Sequence, residues 1–443
     1  MKKTFSLPLG FRGPLVLIQS VGLLGILTSF YIFLCRPLGA AAFAFGGLYA
    51  LLAGIFIGGL EGFRFGEKRV FDLALAQWLG LLLAAGVSWI QLCLMVGALL
   101  NPLPFLGLAL IQGAAAWALT RLFHLSHRRL FRPRRTALVC GSHLEGALRE
   151  KLLRRQDKYR LDRILSGSND FESLCRELEG CEAAVFSGLD EALRNRLLKF
   201  CYGKGIRVYV VPEVTDLLLR FGKTVTAFDT PMVLVRSSGL TLRQRICKRA
   251  LDALLVTAAL IPAAPVMALV ALAIRLEDGG PIFYRQKRMT QNGREFDILK
   301  FRSMIPDAEK FSGAVLASEN DPRITKVGRF IRATRLDELP QLLNILKGDM
   351  SIVGPRPERP QIAEGYRREL PEFDYRLKVP GGLTGYAQIY GKYNTTPADK
   401  LRLDMIYIEN YSILLDIRLM LLTLRILFTK ESTQGIQEEP KCL

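Results

Sequence analysis

Four long apolar runs in the N-terminal part of the chain restrict its fold more than any other feature. Residues 14–35, about 39–60, 70–100 and 103–123 each come near or above the ~20 residues that a bilayer-spanning helix needs, and each is apolar on all faces. A backbone crosses hydrocarbon only as a helix or a closed barrel, so the runs are expected to form four membrane helices. Lys2, Lys3 and Arg12 precede the first run, Arg36 follows it, and Arg64, Lys68 and Arg69 separate the second from the third. A neutral NPLP separates the third from the fourth, and RLFHLSHRRLFRPRRT follows the fourth. This alternation puts the N-terminus and everything after residue 124 in the cytoplasm, as in a multi-pass membrane protein. No small-residue cleavage site follows the first run, which reads as a retained anchor.

The remainder of the 443 residues allows two further domains. Sixty Lys and Arg against 41 Asp and Glu give a net charge of +19, which admits nucleic acid, anionic lipid or phosphorylated substrates as partners. Much of this charge borders apolar runs or falls in phosphate-type motifs, and no zinc-finger spacing or RNA-binding signature accompanies it, which argues against nucleic acid. Eight cysteines without a CxxC read as reduced structural thiols. With only His124, His127 and His143, a histidine metal site or a Ser-His-Asp hydrolase has almost nothing to work with. The terminal PKCL is not a prenylation box, because its Cys is second from the end.

Between Thr136 and about Arg236, short β-like runs alternate with charged helical runs, the pattern of a small parallel, Rossmann-like sheet. Gly141 and Gly146 do not complete GxGxxG, so a scaffold, dimerisation or regulatory role is expected ahead of dinucleotide binding.

A fifth apolar stretch, residues 251–275, has basic residues on both flanks: Arg243, Arg245, Lys248 and Arg249 before, Arg275, Arg285, Lys287 and Arg288 after. A crossing helix would carry everything beyond it outside the cell. Pro262 and Pro265 offer a different path, a re-entrant segment over about 250–275 that dips in and returns. Two strand-like runs follow, with Tyr284, Gln286 and Arg288 alternating on one and Lys300 and Arg302 on the other; Lys300 and Arg302 are candidate phosphate or carboxylate contacts. The polar segment 306–324 is expected to form a loop over the site.

Residues 329–358, RFIRATRLDELPQLLNILKGDMSIVGPRPE, concentrate the chemistry. Arg329, Arg332 and Arg335 recur every third residue, so a helix would align them. Asp337 is expected to cap a second helix with an apolar stripe of Leu339, Leu342, Leu343 and Leu346 and an end at Gly348. Arg356, between Pro355 and Pro357, suits a bidentate phosphate contact. Asp337 and Glu338 would repel an anion unless a hard cation bridges them, as Mg²⁺ does with one or two carboxylates and phosphate oxygens, or unless one of them attacks phosphorus.

KRALD at 248–252, GGPIFYRQKR at 279–288, FDILKFRSM at 296–304, the RLDELPQLLNILKGDMSIVGPRPE block and GLTGYAQIYGK at 382–392 together resemble the monotopic polyprenyl-phosphate phosphoglycosyl transferases, the bacterial sugar transferases, over about residues 243–430. The resemblance implies transfer of a sugar-1-phosphate from a UDP-sugar to undecaprenyl phosphate with release of UMP. It implies Asp337 as nucleophile, Glu338 as Mg²⁺ ligand, and Lys300, Arg302, Arg332 and Arg356 around the phosphates. Pro265 matches the proline of the family's Ser-Pro membrane break, with Ala264 in place of the serine. Val379 stands where many relatives have an arginine, so that nucleotide contact is not carried over. The glycine-rich stretch 379–394 reads as a ligand-approaching loop, and 411–429 as an interfacial or core helix. A homodimer is admitted by resemblance alone.

The expected architecture is a membrane α-helical bundle over 1–130, a Rossmann-like α/β domain over 131–238, and an α/β monotopic phosphoglycosyl transferase domain with a re-entrant membrane helix over 239–443. Two other functions stay open on the residues: a glycosyltransferase releasing UDP, and a non-catalytic membrane scaffold for polysaccharide assembly.

Overall fold

The computed structural model describes residues 12–34, 39, 41–65, 70–130, 133–141, 145–153, 155–156, 158–227, 229–236, 239–305, 321, 323–391 and 395–427. Most of the segment expected to form a loop over the site, 306–320 and 322, lies outside the described residues, as do Lys2, Lys3, Cys35, Arg36, Lys68, Arg69, His143, 392–394 and the terminal PKCL. The chain divides into two compact units, Met1–Pro212 and Glu213–Leu443.

The first unit opens with four helices, α1 (Arg12–Leu34), α2 (Ala41–Gly59), α3 (Val70–Val96) and α4 (Leu103–Leu130). All four are long and apolar enough to cross a membrane, and they are the membrane-helical part of the protein. Their inward faces pack Leu23, Leu27, Tyr31, Tyr49, Ile57 and Leu81, while Phe33, Leu94 and Leu99 stay exposed. Hydrocarbon offers no partner to a polar group, and two buried pairs here find partners across the bundle. Tyr49 donates to Gln112 Oε1 (2.6 Å), and Gln112 Nε2 donates to the Leu27 carbonyl (2.7 Å). Thr120 donates to Gln77 Oε1 (2.6 Å), and Gln77 Nε2 to the Gly62 carbonyl (2.8 Å).

The rest of this unit is an α/β part: β1 (Arg134–Cys140), α5 (Glu145–Leu153), β2 (Tyr159–Ser166), α6 (Phe171–Leu178), β3 (Ala183–Ser187), α7 (Glu191–Gly203) and β4 (Arg207–Val210). The strands form one parallel sheet of order β2-β1-β3-β4. Ala137, Leu138 and Val139 on β1 are fully buried, which is why that strand reads as a continuous apolar run rather than an alternation. Asp170 and Asp190 cap α6 and α7, each accepting a backbone N–H at 3.1 Å. Gly141 is needed at the strand end, where a Cβ would lie 1.9 Å from the Gly188 carbonyl oxygen.

The second unit contains α8 (Val214–Phe221), the hairpin of β5 (Lys223–Ala227) and β6 (Thr230–Leu234), and α9 (Leu242–Asp278). A second hairpin pairs β7 (Phe283–Met289) with β8 (Glu295–Phe301). Then come α10 (Lys326–Ala333), α11 (Gln341–Lys347), β9 (Ser351–Val353), α12 (Pro360–Glu369), β10 (Gly382–Thr384), α13 (Tyr386–Tyr390), α14 (Pro397–Glu409) and α15 (Ile413–Leu427). The range 214–236, expected within the middle domain, lies in this second unit, where Leu217 packs with Met289, Phe373 and Leu401. One side of α15 is core: Leu419 and Leu422 are fully buried beside Val353 and Val379, while Leu414 is exposed.

Helix α9 is continuous through Pro262 and Pro265, and both of its halves are fastened to this unit. In the first half, Lys248 pairs with Asp416 (2.6 Å), Asp252 accepts from Ser351 Oγ (2.7 Å) and from the Ile352 N–H (3.2 Å), and Arg249 donates to the last carbonyls of α11, Ile345 and Leu346. In the second half, Glu277 accepts from the first N–H groups of α10, Lys326 (2.8 Å) and Val327 (3.2 Å), and Val270 and Ile274 pack with Phe301 and Ile331. Leu254, Ile261, Leu269, Leu272 and Leu276 are exposed along it.

Lys248 and Asp416 are both 3% exposed, and Tyr407 donates to the second Asp416 oxygen (2.8 Å). Removing one charge from such a pair strands the other, at a cost of about 3–5 kcal/mol. Lys248→Met is therefore expected to lower stability by about that amount, read as an early thermal transition in detergent, whereas the double variant Lys248→Met/Asp416→Leu recovers most of it.

Candidate functional site

The site is assembled where α10, α11, the β7–β8 hairpin and the Pro355-Arg356-Pro357 turn meet. Thr325 caps α10, accepting from the Gly328 N–H (2.9 Å). The helix carries Arg329 and Arg332 but ends at Ala333, and Arg335 takes a left-handed backbone conformation (φ 57°) that turns the chain out of the helix. The expected row of three arginines on one helix is thus cut to two.

Asp337 and Glu338 follow on a single 3₁₀ turn, Leu336–Glu338. Asp337 does not cap the next helix, which starts later, at Gln341, with Pro340 in the capping position and Gly348 (φ 91°) at its end. The apolar stripe expected for α11 also differs. Leu339 and Leu342 pack partly inward, Leu343 and Leu346 are exposed, and the buried side is Gln341, Asn344 and Ile345. The physical reason is Asn344, which accepts from the Leu299 N–H (2.9 Å) and donates to the Asp297 carbonyl (2.9 Å), satisfying the open edge of β8. That contact also fixes the 3₁₀ turn beside Lys300.

Glu338 is the junction of the site. Its Oε1 accepts from Lys300 Nζ (2.9 Å) and from Arg356 Nη2 (2.8 Å). Burial alone would push this carboxyl up, but Arg356 and Lys300 together outweigh it and hold it well below the usual carboxylate range. Asp337 is shifted the other way. Burial pushes its carboxyl up, with the pull of Lys300 only partly offsetting this and the neighbouring Glu338 charge adding to it. Two adjacent carboxyls therefore differ in character, one a fixed anion and the other a weaker acid whose anion is more basic.

Lys300, Arg356, Asp337 and Glu338 are brought together, and Arg332 reaches the group through its charge, which acts on Asp337 and on Asp321. Arg302 is placed differently: it is 7% exposed, packs against Gly280 and pairs with Asp278 at the end of α9. Pro265 lies inside α9. Tyr284, Gln286 and Arg288 do share a face, linked in a row by Gln286 donating to Tyr284 (2.9 Å) and Arg288 donating to Gln286 (2.7 Å), with Lys300 across from Tyr284 in register.

The glycine-rich stretch is not a loop in its described part but a strand and helix, β10 and α13. Its glycines admit neighbouring backbone: a Cβ at Gly382 would lie 2.1 Å from the Gly354 nitrogen, and one at Gly385 2.1 Å from the Gly354 oxygen. Val379, the position lacking the family arginine, is core at 1% exposure.

Behind Arg356 stands a charged layer that sequence reasoning missed. Arg376, buried, pairs with Asp404 (2.8 Å), and Glu358 lies 3.6 Å from both Arg376 and Lys400. Burial pushes the Asp404 carboxyl up to about 6 against the pull of Arg376. No spacing in the sequence couples positions so far apart.

Among the described residues no group of three or more His, Cys, Asp or Glu side chains is placed to hold a metal ion. The Asp337–Glu338 pair meets the smaller demand of Mg²⁺ bound mainly through phosphate oxygens of a ligand.

Comparison with known proteins matches residues 243–430 to the family model described as bacterial sugar transferase. Over 238 residues the chain is 40% identical to a UDP-N-acetylgalactosamine-undecaprenyl-phosphate N-acetylgalactosaminephosphotransferase of Aeromonas hydrophila, covering 53% of this chain and 55% of that protein. Over 222 residues it is 37% identical to the UDP-glucose:undecaprenyl-phosphate glucose-1-phosphate transferase of Escherichia coli (strain K12), covering 49% and 47%. These matches span about half the length of each relative. A shorter Bacillus subtilis (strain 168) protein, provisionally named an undecaprenyl-phosphate N-acetylgalactosaminyl 1-phosphate transferase, is 50% identical over 137 residues, which are 31% of this chain and 76% of that protein. The carboxylate pair, its two cations and the turn that holds Arg356 all fall inside the matched residues, and the chain belongs to the bacterial sugar transferase family.

Proposed function

We propose that the protein transfers a sugar-1-phosphate from a UDP-sugar to undecaprenyl phosphate at the cytoplasmic face of the inner membrane, releasing UMP, as a first membrane step of glycan assembly. The observation that carries this reading is the unequal carboxylate pair: Glu338 fixed as an anion between Lys300 and Arg356, with the more basic Asp337 beside it. An Asp337 carboxylate oxygen attacks the sugar-proximal phosphorus, and the bond from that phosphorus to the bridging oxygen breaks, with its electron pair leaving on UMP. An oxygen of the lipid phosphate then attacks the same phosphorus and frees the Asp337 carboxylate. Lys300 and Arg356 take up phosphate charge, and Arg332 adds its field. Arg302, paired with Asp278, holds the end of α9 against the site rather than reaching into it. Mg²⁺, held by Glu338 with Asp337 adjacent, supplies charge neutralisation at the diphosphate when bound. The names of the relatives support undecaprenyl phosphate and a nucleotide sugar as the substrate classes.

In the same reading α9 is re-entrant, and its two proline positions lie at the deepest part of the path. What supports this is the fastening of both halves to one unit. Asp252 and Glu277 are separated by 25 helical residues, about 37 Å if straight, more than the ~30 Å hydrocarbon core. A crossing helix would divide their partners, α11 with β9 and α10, between opposite sides of the membrane. The parallel sheet of the first unit is read as a Rossmann-like scaffold, and a homodimer rests on the family resemblance alone.

Three outcomes are expected. In nanodiscs with UDP-sugars, undecaprenyl phosphate and Mg²⁺, UMP forms with the unmodified chain and falls by at least 10³-fold in Asp337→Asn, the order seen when a nucleophile is removed. UDP as the product would identify a glycosyltransferase, and equal UMP from both chains would remove Asp337 from the mechanism. The rate of UMP formation declines as pH drops through the raised Asp337 pKa, with no second carboxylate step from Glu338, which a pH–rate profile checks. Single cysteines placed at Arg243 and Pro281, in a chain otherwise free of cysteine, react with an impermeant maleimide from the same side of the membrane; labelling from opposite sides would make α9 a crossing helix.

A further inference from the structure

The Pro355-Arg356-Pro357 turn has an unusual hydrogen-bond problem. Two of its three residues lack an N–H, so it has little with which to hold itself by internal backbone bonds. Four consecutive carbonyls, 355 to 358, are instead gripped from outside. The Gly382 N–H donates to Pro355 O (2.9 Å), Arg376 Nη2 to Arg356 O (3.0 Å), Arg288 Nη1 to Pro357 O (3.0 Å) and the Met289 N–H to Glu358 O (3.0 Å).

The two middle grips are guanidinium groups, one on the carbonyl of Arg356, whose side chain reaches Glu338, and one on that of the next residue. Arg376 is itself fixed, 3% exposed and paired with Asp404, which is 1% exposed. Arg288 is oriented by Gln286, the middle member of the row that begins at Tyr284 opposite Lys300. Both cations spend hydrogen bonds on the backbone of the turn, whereas Arg356 spends one on Glu338.

We infer that Arg288 and Arg376 are positioning residues, a two-sided clamp on the carbonyls of the Pro-Arg-Pro turn that sets where the Arg356 guanidinium meets a substrate phosphate. The inference rests on the anion-binding reading of Arg356. Neither clamp residue contacts the phosphate. A misplacement of about 1 Å in such a group is enough to cost orders of magnitude in rate, which is why the turn is held at every carbonyl rather than at one.

The test is a double-mutant cycle on the full chain in nanodiscs, with inorganic pyrophosphate as the probe and calorimetric affinity as the readout. Arg288→Gln leaves no buried carboxylate unpaired and is the first variant. Arg376→Gln is made together with Asp404→Asn, so that no lone charge is buried, and thermal midpoints verify that each chain is folded. In the native background each change is expected to weaken pyrophosphate by about tenfold, the order of one hydrogen bond involving a charged group. In an Arg356→Gln background each is expected to change affinity by less than twofold, because the residue it positions is gone. A merely structural role would lower the thermal midpoint and weaken binding equally in both backgrounds. Equal losses with and without Arg356, or no loss in the native background, overturn the clamp and leave the anion-site reading standing. Absence of pyrophosphate binding by the unmodified chain overturns both.

Discussion

One half-buried carboxylate shared by two cations organises the second unit of this protein. Glu338 receives Lys300 from a β-hairpin and Arg356 from a proline-bounded turn, two elements that also meet through backbone carbonyls of the turn. Each partner makes the others tolerable: two cations this close would repel without the carboxylate, and the carboxylate would not remain ionised at this depth without the cations. An isolated surface ion pair contributes little, but a three-member cluster with burial and fixed supports is a geometric device as much as a stabilising one. Asp337 is raised chiefly by its own burial, and the Glu338 charge adds to that.

Long-range supports give the cluster its geometry. Asn344 closes the edge of β8, Arg249 covers the end of α11, and Glu277 covers the start of α10. In each case a side chain satisfies backbone groups that a helix end or strand edge would otherwise leave exposed. The helices around the site are short, α11 only seven residues, and helices of that length depend on such contacts rather than on their own propensity. Polar side chains from α9 therefore add to the cap that Gly348 gives α11, with Arg249 also reaching the Leu346 carbonyl.

Much of this was legible in the amino-acid sequence, and the parts that were not share a cause. The apolar runs, the strand–helix alternation after Thr136 and the strand character of 283–289 and 295–301 follow from local periodicity, which a linear reading captures. The Asp337–Glu338 pair and Arg356 stood out through unusual neighbours. Local rules failed where tertiary partners decided the outcome: Arg335 left its helix, Asp337 sat on a 3₁₀ turn rather than capping α11, and two leucines of the supposed stripe gave the inner face to Asn344. Gly382 and Gly385 were read as room for a ligand but are room for the Gly354 backbone. Arg376 and Asp404 carry no local signal, since their meaning exists only once distant segments are folded against each other.

The capping of α11 by Arg249 and of α10 by Glu277 also bears on the order of events during synthesis. Translation delivers α9 before β8, α10 and α11, so the apolar helix is available to the bilayer while the residues of the site are still to be made. Thr325 and Gly348 start the caps of α10 and α11, and the polar side chains of α9 add to them from a segment whose leucines are exposed. Completion of the helix ends around Glu338 is thereby tied to α9. The side chains that complete the ends of α10 and α11 are thus already made when those two helices emerge.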